Sequence, residues 1–143
     1  MRTSNRDQMH TLALKNSGPI STIASTCFIG TTKTLNLETL RMKLNEKGFQ
    51  VTDDKLEYTH QVQIFSADQG LVASGQSDEY EDAFEHAILG RVREEYAAHA
   101  INAALTERNI KVGAALRQTL ESRFILSNFN PAALKKDFEA FPS

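Results

Sequence analysis

The sequence predicts an α+β fold with a mostly antiparallel sheet of about four to five strands and helices packed on one face of it. Short segments that alternate apolar and polar residues, separated by turn residues, are the first observation behind this prediction. The second is a pair of longer segments whose apolar residues recur at helical spacing. The predicted order is two strands, one helix, three strands and three further helices.

The chain length and the single cysteine bound the domain organisation. The 143 residues fit one domain, predicted over residues 11–143 after a flexible, polar N-terminus at residues 1–10. A domain of this size buries enough surface to fold without a disulfide or a metal. Cys27 is the only cysteine, so it has no internal disulfide partner, which favours a reducing, cytoplasmic location. The polar residues 15–19 interrupt any signal-peptide core, and no apolar run approaches a membrane span in length.

Charge is spread unevenly along the chain. Residues 1–50 contain seven Lys and Arg against three Asp and Glu, residues 51–100 three against eleven, and residues 101–143 six against four. A basic, acidic, basic order of this kind either complements itself internally or presents two faces of opposite sign. Charged surfaces are therefore the first candidates for a functional site.

The first half of the chain is predicted to begin with a β-hairpin between Thr11 and Ile29, because a turn cluster at residues 16–19 separates two runs rich in Thr, Ser and Ile. The polar residues 30–34 lack the spacing of a phosphate-binding loop and are predicted to be a connection. A helix over 37–47 follows, with Asn36 as its N-cap.

Strands and helices alternate in the rest of the chain. Residues 55–66 alternate with a period of two, and a turn at 68–70 joins them to a partner strand over 71–76. Tyr80, Phe84 and Ile88 begin an i+4 series that predicts a long helix over about 78–108. A turn or short strand at 110–112, a helix over 114–124 and a last helix from Asn130-Pro131 complete the prediction.

The order helix, strands, helix over about residues 37–90 resembles that of double-stranded RNA-binding domains. Thr59-His60 before one strand and Gly75-Gln76-Ser77 before the second helix carry the resemblance. It implies phosphate contacts from lysines at the start of that helix, yet this chain has Asp78 and Glu79 there, and carboxylates repel phosphate. A ferredoxin-like core, with residues 20–29 as first strand and 110–112 as last, fits the same elements, so both cores stay open.

The first candidate site is an acidic surface at the start of the long helix. Negative charge is favoured at a helix N-terminus, and a carboxylate cluster also complements a basic partner. We expect a small non-enzymatic binding or regulatory protein, an inhibitor or adaptor, that presents this surface to a macromolecule, in the first place a protein. The predicted protein-binding residues are Asp78, Glu79, Glu81, Asp82 and Glu85.

The alternatives are nucleic-acid binding and catalysis. Basic residues around the first predicted helix, which suit phosphate contacts, are Lys33, Arg41, Lys43 and Lys47. An enzyme whose site assembles only in three dimensions is the second alternative, although the sequence predicts no catalytic residue, no metal and no cofactor. The i+4 pairs Asp82 with His86 and Glu95 with His99 each supply two ligands, whereas a closed metal site needs three or four.

The C-terminal residues are rich in phenylalanine and must cover an apolar surface. Their own domain is the first expected target, and a second subunit in a homo-oligomer is the next. A membrane is not an expected partner. The apolar residues concerned are Phe124, Ile125, Leu126, Phe129, Phe138 and Phe141.

Overall fold

The structure, a computed structural model, describes residues 5–140 and contains six helices and one three-stranded antiparallel sheet within them. The α+β class and the antiparallel sheet are confirmed. In chain order the elements are α1 (Asn5–Ala13), α2 (Pro19–Ser25), α3 (Leu37–Glu46), β1 (Phe49–Lys55), β2 (His60–Ser66), β3 (Gly70–Ser77), α4 (Tyr80–Glu107), α5 (Ala114–Leu126) and α6 (Pro131–Glu139). Two compact units divide the chain, one ending at Arg93 and one beginning at Glu94.

The sheet of the first unit has the order β1-β2-β3, with both neighbouring pairs antiparallel. Val51, Ile64 and Ala73 are paired across the three strands and all are buried, and Val62 is fully buried two residues before Ile64. The side chains of β2 therefore alternate between the two faces of the sheet, with the period of two that the sequence predicts. The apolar face of the sheet packs on the core. The opposite face is polar and exposed, and it includes Gln50, Ser74 and Gln76.

Two helices of the first unit pack against this sheet. Asn36 caps α3, since its side-chain oxygen accepts a hydrogen bond from the Thr39 backbone N–H at 3.1 Å, as the sequence predicts. Leu40 and Leu44 are buried one turn apart, and α3 contacts β1. Helix α4 lies so close to β3 that a Cβ built on Gly75 would stand 2.3 Å from the Ala83 carbonyl oxygen.

The predicted hairpin between Thr11 and Ile29 is wrong, because the two segments are the helices α1 and α2. Ile20, Ile23 and Ala24 are buried at i, i+3 and i+4, which is helical spacing that the β-branched composition concealed. The hydroxyl groups find partners within the helix itself: Thr22 Oγ1 donates to the Gly18 carbonyl at 2.9 Å and Ser25 Oγ to the Thr22 carbonyl at 2.7 Å. Burial of the apolar helix face thus outweighs the strand preference of Thr and Ile.

Further corrections follow from this change. Helix α1 begins at Asn5 and buries Met9, so the predicted flexible N-terminus is helical from there on, and residues 1–4 lie outside the described residues. Residues 110–112 form no strand. The outer strands that a ferredoxin-like core requires are therefore absent from residues 20–29 and 110–112, apart from one isolated bridge between Phe28 and Leu35. The sheet of the described chain has three strands, not four to five.

The second unit consists of the C-terminal half of α4 with α5 and α6. Phe124 and Phe138 are 4% exposed, so the phenylalanine-rich segment covers the core of its own unit. Leu126 is 85% exposed, and Phe141 lies outside the described residues. The core of this unit contains Ala97, Ile101, Ala104, Leu105, Leu120, Phe124 and Phe138.

Of the helices in residues 5–140, none has the length and apolar composition that a membrane span requires.

Candidate functional site

The turn between β1 and β2 and the start of α4 lie at the same end of the sheet. The strand register pairs Lys55 with His60 and His60 with Ser77, and α4 begins three residues after Ser77. The His60 and Tyr80 rings contact each other edge to face, with centroids 6.5 Å apart. We call this region the acidic end, defined by its exposed carboxylates Asp53, Asp54, Glu57, Asp78, Glu79, Glu81 and Asp82.

A tight turn at the acidic end exposes two large side chains. The Leu56 backbone N–H donates to the Thr59 carbonyl at 2.7 Å and closes the turn. Leu56 is 45% exposed and Tyr58 is 81% exposed. The sequence interpretation placed both on the buried face of a strand, and this is wrong because β2 begins only at His60. The charged residues on both sides, Asp54 and Glu57 among them, were the available signal for a turn.

A chain of polar contacts fixes the turn region to the two helices. His60 Nδ1 donates to the Asp53 carboxylate, at 3.1 Å from Oδ1 and 3.2 Å from Oδ2. Arg41 of α3 donates a hydrogen bond to the Tyr80 hydroxyl. Burial raises the pKa of Tyr80, and the positive charge of Arg41 only partly opposes this, so the phenol stays neutral at physiological pH. These contacts hold side chains of α3, β1, β2 and α4 together.

The predicted acidic residues divide into two groups. Asp78, Glu79, Glu81 and Asp82 are exposed, and within the described part of the chain none of them has a cation as partner. Ser77 Oγ donates a long hydrogen bond of 3.4 Å to Asp78 Oδ1. Glu85, one turn further on, is different: its side chain is 15% exposed and its Oε1 lies 3.7 Å from Arg6 Nη2. The structure therefore brings four of the five together at the surface.

Burial raises the pKa of Glu85, and the attraction of Arg6 lowers it by less. A raised pKa means that the folded chain keeps this proton at pH values where the unfolded chain has lost it. The free energy of unfolding therefore falls as the pH rises from about the ordinary value of 4.5 through the folded pKa. Glu85→Gln removes this ionisation, so we expect the stability of the variant relative to the parent to increase over that pH range.

Denaturant unfolding of both proteins from acidic to neutral pH measures this difference. Asp82→Asn, one turn earlier, removes a negative charge that also raises the pKa of Glu85, so it should weaken the same trend without abolishing it. A Glu85→Gln variant that loses more stability at neutral than at acidic pH would show that the ion pair with Arg6 outweighs burial.

The predicted nucleic-acid-binding residues make separate contacts. Lys33 Nζ donates to Asp7 Oδ1 of α1 at 2.7 Å, and Lys43 Nζ donates to Thr26 Oγ1 at the end of α2 at 3.0 Å. Arg41 contacts Tyr80 of α4, as described above. Lys47 lines a cleft at the other end of the sheet. Three of the four basic side chains therefore form hydrogen bonds with residues of three different helices or helix ends.

Within residues 5–140, no group of three or more His, Cys, Asp or Glu side chains is arranged to hold a metal ion. Cys27 is buried, and its Sγ donates to the Ile23 carbonyl at 3.3 Å, an environment that is typical of a structural thiol. His86 Nδ1 lies 3.1 Å from the Gln76 carbonyl oxygen, which ties α4 to β3.

Comparisons of the chain with protein-family models, with curated proteins and with solved structures found no match.

Proposed function

We propose that this chain is a small non-enzymatic binding protein, an inhibitor or adaptor, whose acidic end receives a basic and partly apolar segment of a protein partner. The observation that carries the proposal is the group of four exposed carboxylates at the start of α4, which has no cationic partner among the described residues. Asp53, Asp54 and Glu57 add further negative charge from the neighbouring hairpin. A reducing, cytoplasmic setting stays a prediction.

Helix stability explains only part of this charge. A helix N-terminus carries the equivalent of about half a positive charge, which one or two carboxylates satisfy. Asp78, Glu79, Glu81 and Asp82 stand in or directly before the first turn of α4, so most of their charge is left over. Like charges held this close repel one another, and a cationic partner relieves that repulsion.

The exposed side chains of the turn supply the apolar part of the proposed interface. Tyrosine is enriched among residues that dominate binding energy, because it buries a large area with little loss of side-chain freedom. Tyr58 is almost fully exposed and lies in the turn that the register places beside α4. Charge therefore guides the approach of the partner, and burial of Tyr58 and Leu56 contributes to the lifetime of the complex.

A matched pair of charge reversals tests the proposal. Glu81 lies at the acidic end, whereas Glu46 ends α3 close to Phe49, at the opposite end of the sheet. The probe is a synthetic amphipathic peptide of Lys and Leu, with a Glu and Leu peptide of the same pattern for comparison. We expect Glu81→Lys to weaken binding of the basic peptide by about fivefold and Glu46→Lys to leave it nearly unchanged.

Titration calorimetry at low and moderate salt gives the affinities. Tyr58→Ala should weaken binding without altering its salt dependence, because it removes apolar area and no charge. Equal losses from both reversals, or equal binding of the acidic peptide, would contradict the proposal. A gel shift of duplex RNA that is abolished by Lys43→Glu would support the nucleic-acid alternative in its place.

A further inference from the structure

A cleft of about 540 Å³ lies at the end of the sheet opposite to the acidic end. Its lining comes from α2, from the end of α3, from the start of β1, from the β2–β3 turn and from α4. The register places Phe49, Ser66 and Gly70 together at this end. Its volume lies within the range of about 300–1,000 Å³ that is typical of small-molecule sites.

One wall of the cleft is apolar. Ile20 and Ile23 of α2 are 1% and 8% exposed, and Phe49 at the start of β1 is half-buried. The helical form of residues 19–25 is what brings both isoleucines to the same wall. A ligand with an apolar part would cover the exposed surface of Phe49, which a fully hydrated ion would leave in contact with water.

The charged groups of the cleft are two cations and one carboxylate. Lys47 is exposed, and its side chain has no hydrogen-bond or ion-pair partner in the described part of the chain; Arg91 of α4 is the second cation. The Asp68 carboxylate accepts hydrogen bonds from Ser66 Oγ and from backbone N–H groups of its own turn, and these lower its pKa. Asp68 thus stays ionised but is engaged within its turn, and the cleft keeps a net positive charge.

We propose that this cleft binds a small organic anion, a carboxylate or phosphate that carries an apolar chain or ring. The anionic group would lie against the Lys47 ammonium group, and the apolar part would cover the exposed surface of Phe49. This site is separate from the acidic end, since it lies at the other end of the sheet and has the opposite charge. The result of its test is therefore independent of whether the acidic end binds a protein partner.

Probes that share one apolar chain and differ in charge test the proposal. They are octanoate, octyl phosphate, octanol and octylammonium, with inorganic phosphate as the anion without a chain. Binding is followed by amide chemical shifts of the isotope-labelled full chain. We expect one or both octyl anions to bind and shift the amides of Ile23, Phe49 and Gln69, and a preference between them identifies the anionic group.

Two charge reversals then test the role of Lys47. Lys47→Glu should weaken binding of the better anion by about fivefold or more, whereas Lys55→Glu, the same change at the acidic end, should not alter it. Lys47→Arg should restore binding. Four results would each overturn the proposal. Octanol or octylammonium could bind as tightly as the anions, or inorganic phosphate alone could account for the shifts. The lining residues could show no shifts, or Lys47→Glu could leave the affinity unaltered.

Discussion

Gly75→Val is expected to lower the free energy of unfolding by about 3 kcal/mol or more, at the upper end of the overpacking range. Any side chain at this position of β3 meets the backbone of α4, because a Cβ would lie 2.3 Å from the Ala83 carbonyl oxygen and 2.5 Å from the Ala87 backbone nitrogen. Backbone atoms cannot rotate away as the end of a flexible side chain does. The helix must therefore move off the sheet, and the contacts that bury Phe84 and Ile88 weaken with it.

Gly75→Ala should show a smaller loss of about 1–3 kcal/mol. Gly90→Ala is the matched control within the same unit. Gly90 lies inside α4, and a Cβ there has no atom within 4 Å, so this substitution should stabilise the chain by up to about 1 kcal/mol through helix propensity. Denaturant unfolding monitored by circular dichroism gives all three values. Equal stability of Gly75→Val and the parent would show that α4 does not pack on β3 as described.

Phe124→Ala is the second large effect, with an expected loss of about 3–5 kcal/mol from the second unit. Phe124 is 4% exposed and lies at the centre of an aromatic cluster, with its ring 6.2 Å from Tyr96 and 5.4 Å from Phe129. Truncation removes the buried ring and leaves a cavity between α4 and α5. The edge-to-face contact with Phe129 is lost as well, and such contacts add about 0.5–1.5 kcal/mol.

Leu126→Ala provides the control on the same helix, because Leu126 is 85% exposed. Its truncation should alter stability by no more than about 0.5 kcal/mol. Amide hydrogen exchange then locates the effect, and we expect Phe124→Ala to increase exchange in residues 97–105, which supply much of the core of this unit. A variant with unchanged exchange in that segment would show that Phe124 does not hold this core together.

The two proposed sites use the uneven charge of the chain in different ways. Part of it is complemented internally, since Arg6 pairs with Glu85 and Lys33 pairs with Asp7. The charge left over is separated along the sheet, with carboxylates at the end formed by the β1–β2 turn and the Lys47 ammonium group in the cleft near the β2–β3 turn. A partner protein and a small anion are therefore proposed to bind the same unit without competing for the same residues.

Local signals predicted several elements after residue 35 well. Asn36 and Asn130 cap α3 and α6 as predicted, and the turn at residues 68–70 joins β2 to β3. The i+4 series from Tyr80 predicted α4, although the helix begins two residues later than expected. Capping, turn formation and side-chain period each depend on residues close together in the chain, so one sequence contains enough information to read them.

The sequence by itself determined the α+β class, the two strands joined by the turn at residues 68–70 and the cluster of carboxylates before and within the first turn of α4. The tertiary structure decided that Ile20, Ile23 and Ala24 form one face of a helix, that Glu85 pairs with Arg6, and that Tyr58 is exposed beside the carboxylates. The physical reason is range: caps and turns form between neighbours in the chain, whereas burial and charge pairing depend on groups that only folding brings together.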